Sequence, residues 1–569
     1  MSQISIQAVN LTSVYKNGKI GFTNKNGKIG FNFNKSKIGL HPCSFEIEKD
    51  SMVAILGPTG CGKSTLLKTL IGVTPKAGGT VKIAGLELKE NFDLLKTHIG
   101  YVPQHDHDAI HFDLTVLQCL TYSARLRLPN IGHEEQDRKI EIILKKLNIY
   151  HEKEKLVKDL SGGQQKRVSI AVEILIDPIV LVLDEPTSPL DPQTISDFLL
   201  MLKDLSRQGT TIIMVTHKPA DLDYMDECIF MGVGGYLTYK GKVDGVLNYF
   251  KQNTIHEVYK LVNSEAAGLL AKKYYEQNKL SDSVGDWSNI NFSRTRNINY
   301  LSQFFYLSLR YLARKLNDYK SLLLTIIQAP VIAILMTWIF PEINHIVLFF
   351  ISISAIWFGT NNSAKEIVSE KQIFHRERMY NQGIIPYIFS KITILSIIGL
   401  IQSLIFISIL HFNYKNSFVH ISNDIEMIIW MSFTIIVSSL FGLMLSAISA
   451  TSEKVMGFIP IALIPQIMIS GIIVKISGKI FISYISFLTI ARWSTTGLSR
   501  LQTEVEKTFF NPNGLSIVPL RENLGDTFES TLNFNSNEPT FEMYILGIHA
   551  ILYFIIIYLN LRDRDLYRN

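Results

Sequence analysis

The sequence predicts an α/β domain built around a phosphate-binding turn, followed by an all-α membrane domain of six transmembrane helices. Three observations predict this fold class. A glycine-rich turn at 57–65 follows a short apolar run, apolar strand-like runs alternate with helical patterns up to about residue 250, and six long apolar segments come after residue 320. The chain has 569 residues, 47% of them apolar and 19% charged, so a soluble part joined to a membrane part fits both its size and its composition.

The composition also restricts the classes of partner and the kind of cellular compartment that we expect. The net charge is +6 and the isoelectric point about 8.8, which a basic surface next to a membrane explains, so we expect no nucleic-acid partner. The four cysteines all lie in the first half without metal-ligand spacing, which predicts a reducing compartment and no disulfide framework. The sequence opens without an apolar signal-peptide segment, so we expect membrane insertion through internal spans.

A strand-like alternation at Ile4–Val9 is followed by a local repeat. The heptapeptide Lys-Asn-Gly-Lys-Ile-Gly-Phe occupies 16–22 and 25–31, and a degenerate copy occupies 35–39. Asn-Gly pairs between short strand-like pieces predict an extended hairpin or looped insertion, and we expect a tolerated surface insertion at 16–39. The alternative is a basic flap that touches lipid headgroups.

The turn after the apolar run Met52–Leu56 carries phosphate-binding chemistry. Strand, glycine-rich turn and helix together are the context of a P-loop, which favours this function over a purely structural turn. The glycines let backbone N–H groups converge on a phosphate, Lys63 supplies a positive charge, and Ser64 supplies a hydroxyl for Mg²⁺. The candidate ATP-binding residues in this turn are Gly57, Pro58, Thr59, Gly60, Cys61, Gly62, Lys63, Ser64 and Thr65.

Strands and helices alternate through the rest of the first half. Strand patterns occupy Thr80–Gly85, Ile99–Gln104, Val180–Leu183 and Thr211–Val215, and helical patterns occupy Leu114–Leu128, Glu134–Leu147 and Gln165–Ile176. Apolar strands separated by helices predict a mainly parallel sheet buried on both faces. Gln104, Asp184, Glu185 and His217 fall at carboxyl ends of these strands, where open α/β sheets bind ligands.

The second half has the pattern of a membrane domain. The predicted regions are a cassette at 1–253, a helix and linker at 254–300 with an amphipathic helix from about Ile255 to Tyr275, an interfacial helix at 301–318, and a six-span domain at 319–569. In the interfacial helix, we expect Arg310, Arg314 and Lys315 to snorkel to the membrane surface.

Six apolar segments are each close to the length of a transmembrane helix. They lie at about Leu322–Phe340, Ile346–Asn362, Ile385–Phe412, Ile425–Ala450, Val455–Val474 and Met543–Leu559. We expect no ionisable residue deep within a span, which disfavours proton coupling at mid-membrane.

The positive charges of the connecting segments predict the orientation. The connection after the second span and the C-terminal tail are basic, through Lys365, Lys371, Arg376, Arg378, Arg562, Arg564 and Arg568. The connections after the first and third spans carry between them only Lys415 as Lys or Arg. The positive-inside rule therefore predicts a multi-pass protein with the cassette and both termini in the cytoplasm.

With these residues in hand, the chain resembles an ATP-binding cassette (ABC) transporter. The turn at 57–65, Gln104, Asp184, Glu185 and His217 fit that family, and Leu160–Gln164 matches its signature sequence Leu-Ser-Gly-Gly-Gln. Residues 100–104, 114–116, 124–129 and 370–378 are similar to the G subfamily, the White or pleiotropic drug resistance type. The resemblance implies an ABC-type P-loop ATPase cassette followed by an ABC-2/G-type exporter fold.

The resemblance also implies roles for the site residues. Two cassettes would enclose ATP between the P-loop of one and the signature turn of the other. The further ATP-binding candidates are Ser161, Gly162, Gly163, Gln164 and Asp191, with Tyr15 as the candidate adenine-stacking residue and Phe33 as the second. The metal candidates are Ser64, Asp184 and Gln104, and the catalytic candidates are Lys63, Gln104, Glu185 as general base and His217 at the γ-phosphate.

A chain with one cassette and six spans is, by this resemblance, a half-transporter. The resemblance implies that the partner is a second copy or a sister chain, that membrane lipids surround the spans, and that the substrate is a lipid, a sterol-like compound or a xenobiotic. The alternative is a non-transport ABC ATPase that transmits force to an envelope partner, for which a larger outer domain than 475–542 is expected. The outer loop lacks the cysteines that many animal members have. In the D-loop, at 188–191, Pro189 stands where the family usually has a small residue. We expect a plasma membrane or bacterial inner membrane.

Overall fold

The computed structural model describes residues 4–16, 36–74, 76–188, 190–278, 299–341, 343, 345–414, 424–470, 485–501 and 540–562. These residues fall into two compact units. The first contains the described residues up to 278 together with His375–Gln382, and the second contains Asn299–Phe374 and the described residues from Gly383 onwards. Most of the predicted repeat insertion and of the predicted outer loop lies outside the described residues.

The first unit has ten described strands. They are β1 (Ile4–Lys16), β2 (Ser36–Glu48), β3 (Met52–Leu56), β4 (Gly78–Ile83), β5 (Leu86–Glu87), β6 (Ile99–Val102), β7 (Val180–Asp184), β8 (Thr211–Val215), β9 (Glu227–Gly232) and β10 (Tyr236–Lys242). The larger sheet has the order β10-β9-β3-β8-β7-β6, and all its pairings are parallel except that of β10 with β9. Because β3, β7 and β8 are buried at every position, the predicted mainly parallel sheet buried on both faces is confirmed.

A second sheet, of order β2-β1-β4-β5, is antiparallel. A shared apolar core joins the two sheets. Phe45 of β2 and Val81 of β4 lie in the same buried cluster as Val53 of β3 and Val215 of β8. The antiparallel sheet therefore covers one face of the strand that leads into the P-loop.

The first unit also has nine described α-helices. They are α1 (Lys63–Leu70), α2 (Phe92–Leu95), α3 (Val116–Arg127), α4 (His133–Lys146), α5 (Gly162–Ile174), α6 (Pro192–Arg207), α7 (Val246–Phe250), α8 (Ile255–Val262) and α9 (Ala267–Gln277). Two predictions need correction. The expected helix at 255–275 is divided, because the Ser264 hydroxyl bonds the backbone at Leu261 and Ala266 and turns the chain. Helix α5 begins three residues before the predicted Gln165, because Ser161 and Gln164 form a capping box.

The second unit is helical in its described residues. Its helices are α10 (Tyr300–Asn317), α11 (Tyr319–Ile339), α12 (His345–Ser363), α13 (Lys371–Met379, whose last five residues belong to the first unit), α14 (Ile384–Asn413), α15 (Asp424–Ile448), α16 (Ser452–Ile469), α17 (Ile490–Leu501) and α18 (Thr540–Arg562). Six helical segments in the described chain are long and apolar enough to cross a membrane, and they coincide with the six predicted spans. The second candidate segment runs through α12 and α13, from Ile346 to Met379.

Buried ionisable residues in the second unit overturn the prediction that no such residue lies deep within a span. Lys391 lies two turns inside α14 with 2% exposure, and its Nζ lies 2.7 Å from Glu370 Oε1 and 3.8 Å from Glu366 Oε2. His549 is also buried, within α18, where Nδ1 lies 2.8 Å from the Ile545 carbonyl oxygen. The charge is tolerated at Lys391 because carboxylates from the end of the second span neutralise it.

The same carboxylates explain why the cations of α10 do not snorkel as predicted. Arg314 forms an ion pair with Glu370, Lys315 Nζ lies 2.6 Å from Glu366 Oε1, and Arg310 is only 5% exposed. An apolar helix with basic residues has the same sequence pattern whether the cations reach outward to lipid headgroups or inward to carboxylates.

Replacement of Glu370 by Gln should leave the neighbouring cations Arg314 and Lys391 partly uncompensated in a buried site. We expect the free energy of unfolding of this variant to fall by several kcal/mol, on the order of the 3–5 kcal/mol that breaking a buried ion pair costs. Thermal unfolding of the full chain in lipid nanodiscs checks this, with exposed Glu453→Gln as the matched control. Equal melting temperatures for the two variants would contradict the prediction.

Candidate functional site

The predicted phosphate-binding turn connects β3 to α1, as the strand–turn–helix pattern requires. Its backbone needs glycine at two points. Gly57 and Gly62 have φ values of 146° and 101°, and a Cβ at these positions would lie 2.3 Å from the Met231 carbonyl oxygen and 2.7 Å from that of Gly39. The turn therefore packs closely against these two carbonyl groups. It leads directly into the N-terminus of α1, where backbone N–H groups favour an anion.

Lys63 lies inside this turn and is 7% exposed. Its Nζ donates hydrogen bonds to the carbonyl oxygens of Gly57, at 2.9 Å, and Pro58, at 3.0 Å. These bonds hold the ammonium group within the loop, where phosphate oxygens can replace the carbonyls as partners. Cys61 is 1% exposed, and burial raises the pKa of its thiol while nearby Lys63 opposes the shift, so this side chain packs as a neutral group.

Ser64, the residue after Lys63, forms a hydrogen bond with Asp184 at the end of β7. The Ser64 hydroxyl donates to Asp184 Oδ1 over 3.0 Å, and Asp184 is 5% exposed. Burial raises the pKa of Asp184, although the hydrogen bond from Ser64 and the charge of Lys68 oppose the rise. A hydroxyl beside a buried carboxylate fits Mg²⁺, which usually takes one or two protein oxygens and completes its shell with phosphates and water. No group of three or more His, Cys, Asp or Glu residues able to hold a metal occurs in the described residues.

Gln104, Glu185 and His217 converge beside this pair. They follow β6, β7 and β8, which are neighbours in the sheet, so their side chains share one edge. Gln104 Nε2 donates to Glu185 Oε2 over 3.0 Å, and His217 Nδ1 lies 3.7 Å from the same oxygen. Glu185 has a left-handed backbone, with φ of 48°. A partly exposed carboxylate with an amide and an imidazole around it can position and deprotonate a water molecule.

Several predicted ATP-binding residues also serve as helix caps. Ser161 and Gln164 cap α5 reciprocally, with Ser161 N–H donating to Gln164 Oε1 over 3.0 Å, and Gln164 Nε2 donates to Glu152 Oε1 over 3.2 Å. Asp191 caps α6 by accepting the Thr194 N–H at 3.0 Å. The chain itself therefore fixes the position of the signature turn at the N-terminus of α5.

Of the other candidates, Gly163 and Tyr15 lie within the described structure. Gly163 packs closely, because a Cβ there would lie 3.1 Å from Thr194 Cγ2. Tyr15 lies on β1 opposite Lys37, whereas Phe33 and Pro189 lie outside the described residues.

Sequence reasoning missed two buried ions that support the site. Asp221 is 1% exposed and accepts hydrogen bonds from the hydroxyls of Thr187, at 2.9 Å, and Thr216, which ties the loop after Glu185 to the loop that carries His217. Lys166 is fully buried in α5, and its Nζ donates to the carbonyl oxygens of Pro103 and Gln104, each at 3.2 Å. In the sequence both residues lie among other charged residues, and no local pattern distinguishes them from surface charges.

Comparisons with known proteins agree with this geometry. The family model described as "ABC transporter" matches residues 40–188, and the model described as "ABC-2 type transporter" matches residues 302–502. The chain is 27% identical over 461 residues to an ABC transporter ATP-binding/permease protein of Mycobacterium tuberculosis, covering 78% of this chain and 53% of that protein.

Two G-family proteins are similar over shorter stretches. ABC transporter G family member 28 of Arabidopsis thaliana is 36% identical over 35% of this chain and 18% of its own length. The broad substrate specificity ATP-binding cassette transporter ABCG2 of Sus scrofa is 37% identical over 36% of this chain and 32% of its own length. The chain thus spans about half the length of the first of these curated relatives and less of the others.

The chain belongs to the ABC transporters and carries a nucleotide-binding cassette followed by an ABC-2 type membrane domain. The order of the two domains and the G-family relatives give it the arrangement of a G-type half-transporter, which confirms the family predicted from the sequence.

Burial raises the pKa of Asp184. At a pH above that pKa, the charged carboxylate therefore lowers the stability of the nucleotide-free protein. We therefore expect Asp184→Asn to raise the melting temperature of the metal-free and nucleotide-free chain at pH 8, and the gain to shrink as the pH falls and Asp184 takes up a proton. With Mg²⁺ and ATP the order should reverse, since Asn cannot neutralise the ion, and Mg²⁺-dependent ATP affinity should fall roughly tenfold or more. Thermal unfolding from pH 5 to 8, with and without Mg²⁺–ATP, checks both. A variant that is less stable than the wild type at pH 8 without ligands would contradict the prediction.

Proposed function

We propose that this chain is one half of an ATP-driven exporter, and that two copies together hydrolyse ATP and move a hydrophobic or amphipathic substrate out of the cytoplasm or inner leaflet. The observation that carries the proposal is the convergence of Gln104, Glu185 and His217 next to the Ser64–Asp184 pair. A cassette that only bound ATP would need no carboxylate held ready beside the phosphate site.

Hydrolysis then follows from the positions of the side chains. Lys63 and the backbone N–H groups of the turn hold the β- and γ-phosphates, and phosphoryl transfer depends mainly on such positioning and charge neutralisation. Ser64, Asp184 and the side-chain oxygen of Gln104 are the groups that would hold Mg²⁺, which supplies charge neutralisation at the phosphate oxygens. Glu185 accepts the proton of the attacking water, whose oxygen forms a bond to the γ-phosphorus as the bond to the β-phosphate oxygen breaks. His217 stabilises the γ-phosphate.

A shared site explains the placement of the signature turn. Ser161 and Gly163 lie at the start of α5, where the N–H groups of the first turn and the helix dipole favour a phosphate. In the proposed dimer, this end of α5 faces the γ-phosphate bound by the other copy. A homodimer is the simplest form, because one chain contains both halves of the site; a sister chain is the alternative.

The membrane part supports an apolar substrate and a cytoplasmic cassette. The six candidate spans have mean hydropathy between 1.3 and 2.4, the buried Lys391 pairs with Glu370, and the half-buried Lys315 pairs with Glu366. A strongly charged substrate would therefore have to compete with these ion pairs. The basic connection after the second span supports a cytoplasmic cassette through the positive-inside rule. The name of the Sus scrofa relative refers to broad substrate specificity, which fits a proposed class of cargo better than a single compound.

Glu185→Gln tests the proposed hydrolysis. We expect the KM or Kd for ATP to stay near the wild-type value, while steady-state hydrolysis falls by about 10²–10⁴-fold, the usual contribution of a positioned general base. The measurement is phosphate release by the chain in lipid vesicles, with a panel of labelled lipids and apolar compounds added to detect ATP-dependent outward movement. Near-normal turnover by Glu185→Gln would refute the assignment, and wild-type turnover without movement of any compound would favour the non-transport alternative.

Complementation between two inactive chains tests the shared site. Lys63→Ala disables the P-loop, and Ser161→Asp introduces a negative charge at the signature turn while keeping a residue that caps a helix well. Each variant alone should be inactive. Co-expressed chains should recover roughly a quarter of wild-type activity, since half of the randomly formed dimers contain one intact site of two. Ser161→Asn, a neutral capping residue, is the matched control. No recovery in the mixture would place both halves of the site in one chain.

A further inference from the structure

Two amide side chains join three of the candidate membrane spans. Gln402 lies in α14 with no exposed surface, and its Oε1 accepts a hydrogen bond from Asn362 Nδ2 of α12 at 2.8 Å. Gln402 Nε2 donates to the Thr325 carbonyl oxygen of α11 at 2.7 Å. Because the core of a bilayer offers no water to such groups, a polar side chain in a span needs a partner in the protein or in a bound molecule. The amide of Gln402 has a protein partner at both ends.

The carbonyl group of Thr325 fixes the orientation of both amides. A carbonyl oxygen only accepts hydrogen bonds, so Gln402 turns its NH2 group towards Thr325 and its oxygen towards Asn362. Asn362 then turns its own NH2 group towards Gln402, which points Oδ1 in the other direction. This oxygen is buried and has no hydrogen-bond partner among the described residues. The atom of Asn362 that lacks a partner is therefore an acceptor.

A second acceptor lies one turn away on α11. Gln328 follows Thr325 by three residues, which places the two on one side of the helix. Its Nε2 donates to the Leu324 carbonyl oxygen over 3.4 Å, and its Oε1 is buried without a partner in the part of the chain that the structure describes. Pro330 adds to the acceptors, because it lacks the N–H that would bond the Ile326 carbonyl oxygen. Acceptor oxygens thus gather around the contact between Gln402 and α11.

Apolar side chains flank these acceptors. Leu324 and Ile327 are exposed on α11, as expected of side chains that meet lipid tails. Lys391, the buried cation of α14, lies three turns before Gln402, roughly 16 Å along the helix, and pairs with Glu370. An anionic group bound at the acceptors would meet oxygens rather than a cation, whereas an uncharged hydroxyl or N–H group would satisfy them.

We propose that Asn362 Oδ1 and Gln328 Oε1 form a binding site for the hydrogen-bond donor of an uncharged amphipathic substrate, a molecule with an apolar body and a free hydroxyl or N–H group. The inference rests on the proposed function and narrows its substrate class. The apolar body lies along Leu324 and Ile327, and the hydroxyl or N–H group donates to the two amide oxygens. Thr325 lies two turns inside α11, so under the predicted orientation the site lies in the cytoplasmic half of the spans, within reach of the inner leaflet.

Photolabelling of the full chain in lipid vesicles tests this site. The probe is hexadecanol with a diazirine in its alkyl chain, and mass spectrometry measures its incorporation into peptides that cover 319–339. The competitors are plain hexadecanol and its methyl ether, which have the same apolar body and differ in whether the oxygen carries a hydrogen. In the wild type, we expect hexadecanol to displace the probe at a concentration about tenfold lower than the ether, because the ether leaves both acceptors without a donor.

Asn362→Leu and Gln328→Leu each remove one acceptor, and we expect the preference for the alcohol to fall to about twofold or less in each variant. Gln328→Leu leaves the contacts of Gln402 intact, so it provides the test if Asn362→Leu does not fold. The matched control is Asn560→Leu in α18, which removes an amide bonded to the Ile556 carbonyl oxygen of its own helix at 3.0 Å and should keep the full preference. In the wild type, hexadecanol should also stimulate phosphate release more than the ether does.

Equal displacement by the alcohol and the ether in the wild type would overturn the inference and assign the two oxygens to ordered water. A full preference in both Leu variants would overturn it as well, because the hydroxyl would then bind elsewhere. Wild-type phosphate release that neither compound changes would overturn the site as a substrate site and leave the proposed ATPase standing. A wild-type chain that releases no phosphate under any of these conditions would overturn the proposed function, and with it the role of the site in transport.

Discussion

The structure depends on the parallel order of β6, β7 and β8. Parallel strands end at the same edge of a sheet, so Gln104 and Glu185, which are 81 positions apart in the sequence, become neighbours without a loop having to bring them together. Gln104, Glu185 and His217 each follow one of these strands. Changing the order of the strands would leave every local motif intact and still separate the three side chains. The arrangement that we propose for catalysis is therefore a property of the sheet.

Buried charges impose a second constraint, and both units meet it in the same way. In the first unit, Asp221, Lys166 and Glu173 each bridge two or more segments; in the second, Glu370 and Lys391 do so. Each of these five ions is at most 3% exposed, so its cluster contributes little net stability compared with apolar packing of the same volume, but it strongly disfavours arrangements in which one partner is lost. Such clusters fix the relative positions of helices and loops.

The sequence allowed the sheet, the P-loop, the strand-end residues and the six spans to be predicted, because each depends on a local pattern of apolar residues, glycines or caps. It did not reveal the direction in which a charged side chain points. Arg314 in α10 has the pattern of a snorkelling residue and instead pairs with Glu370, and Lys391 has no local partner until α14 packs beside the end of the second span. Glu173 looks like an ordinary helical glutamate, since Tyr380, whose hydroxyl donates to it, lies 207 residues away. The division of the helix at Ser264 was missed for a smaller reason, a single hydroxyl that bonds the backbone.

The double use of Ser161, Gln164 and Asp191 as helix caps has a consequence for how related sequences are judged. Folding alone selects these residues, because an uncapped α5 or α6 would be less stable, so a chain that had lost turnover would keep its signature motif. Glu185 and His217 differ: both are partly exposed, neither caps a helix, and the left-handed backbone at Glu185 is a conformation that glycine or asparagine adopts at less cost. Mutational drift in a silent copy would therefore erase Glu185 and His217 first. Under the proposed mechanism, these two positions separate chains that hydrolyse ATP from chains that have lost turnover better than the signature does.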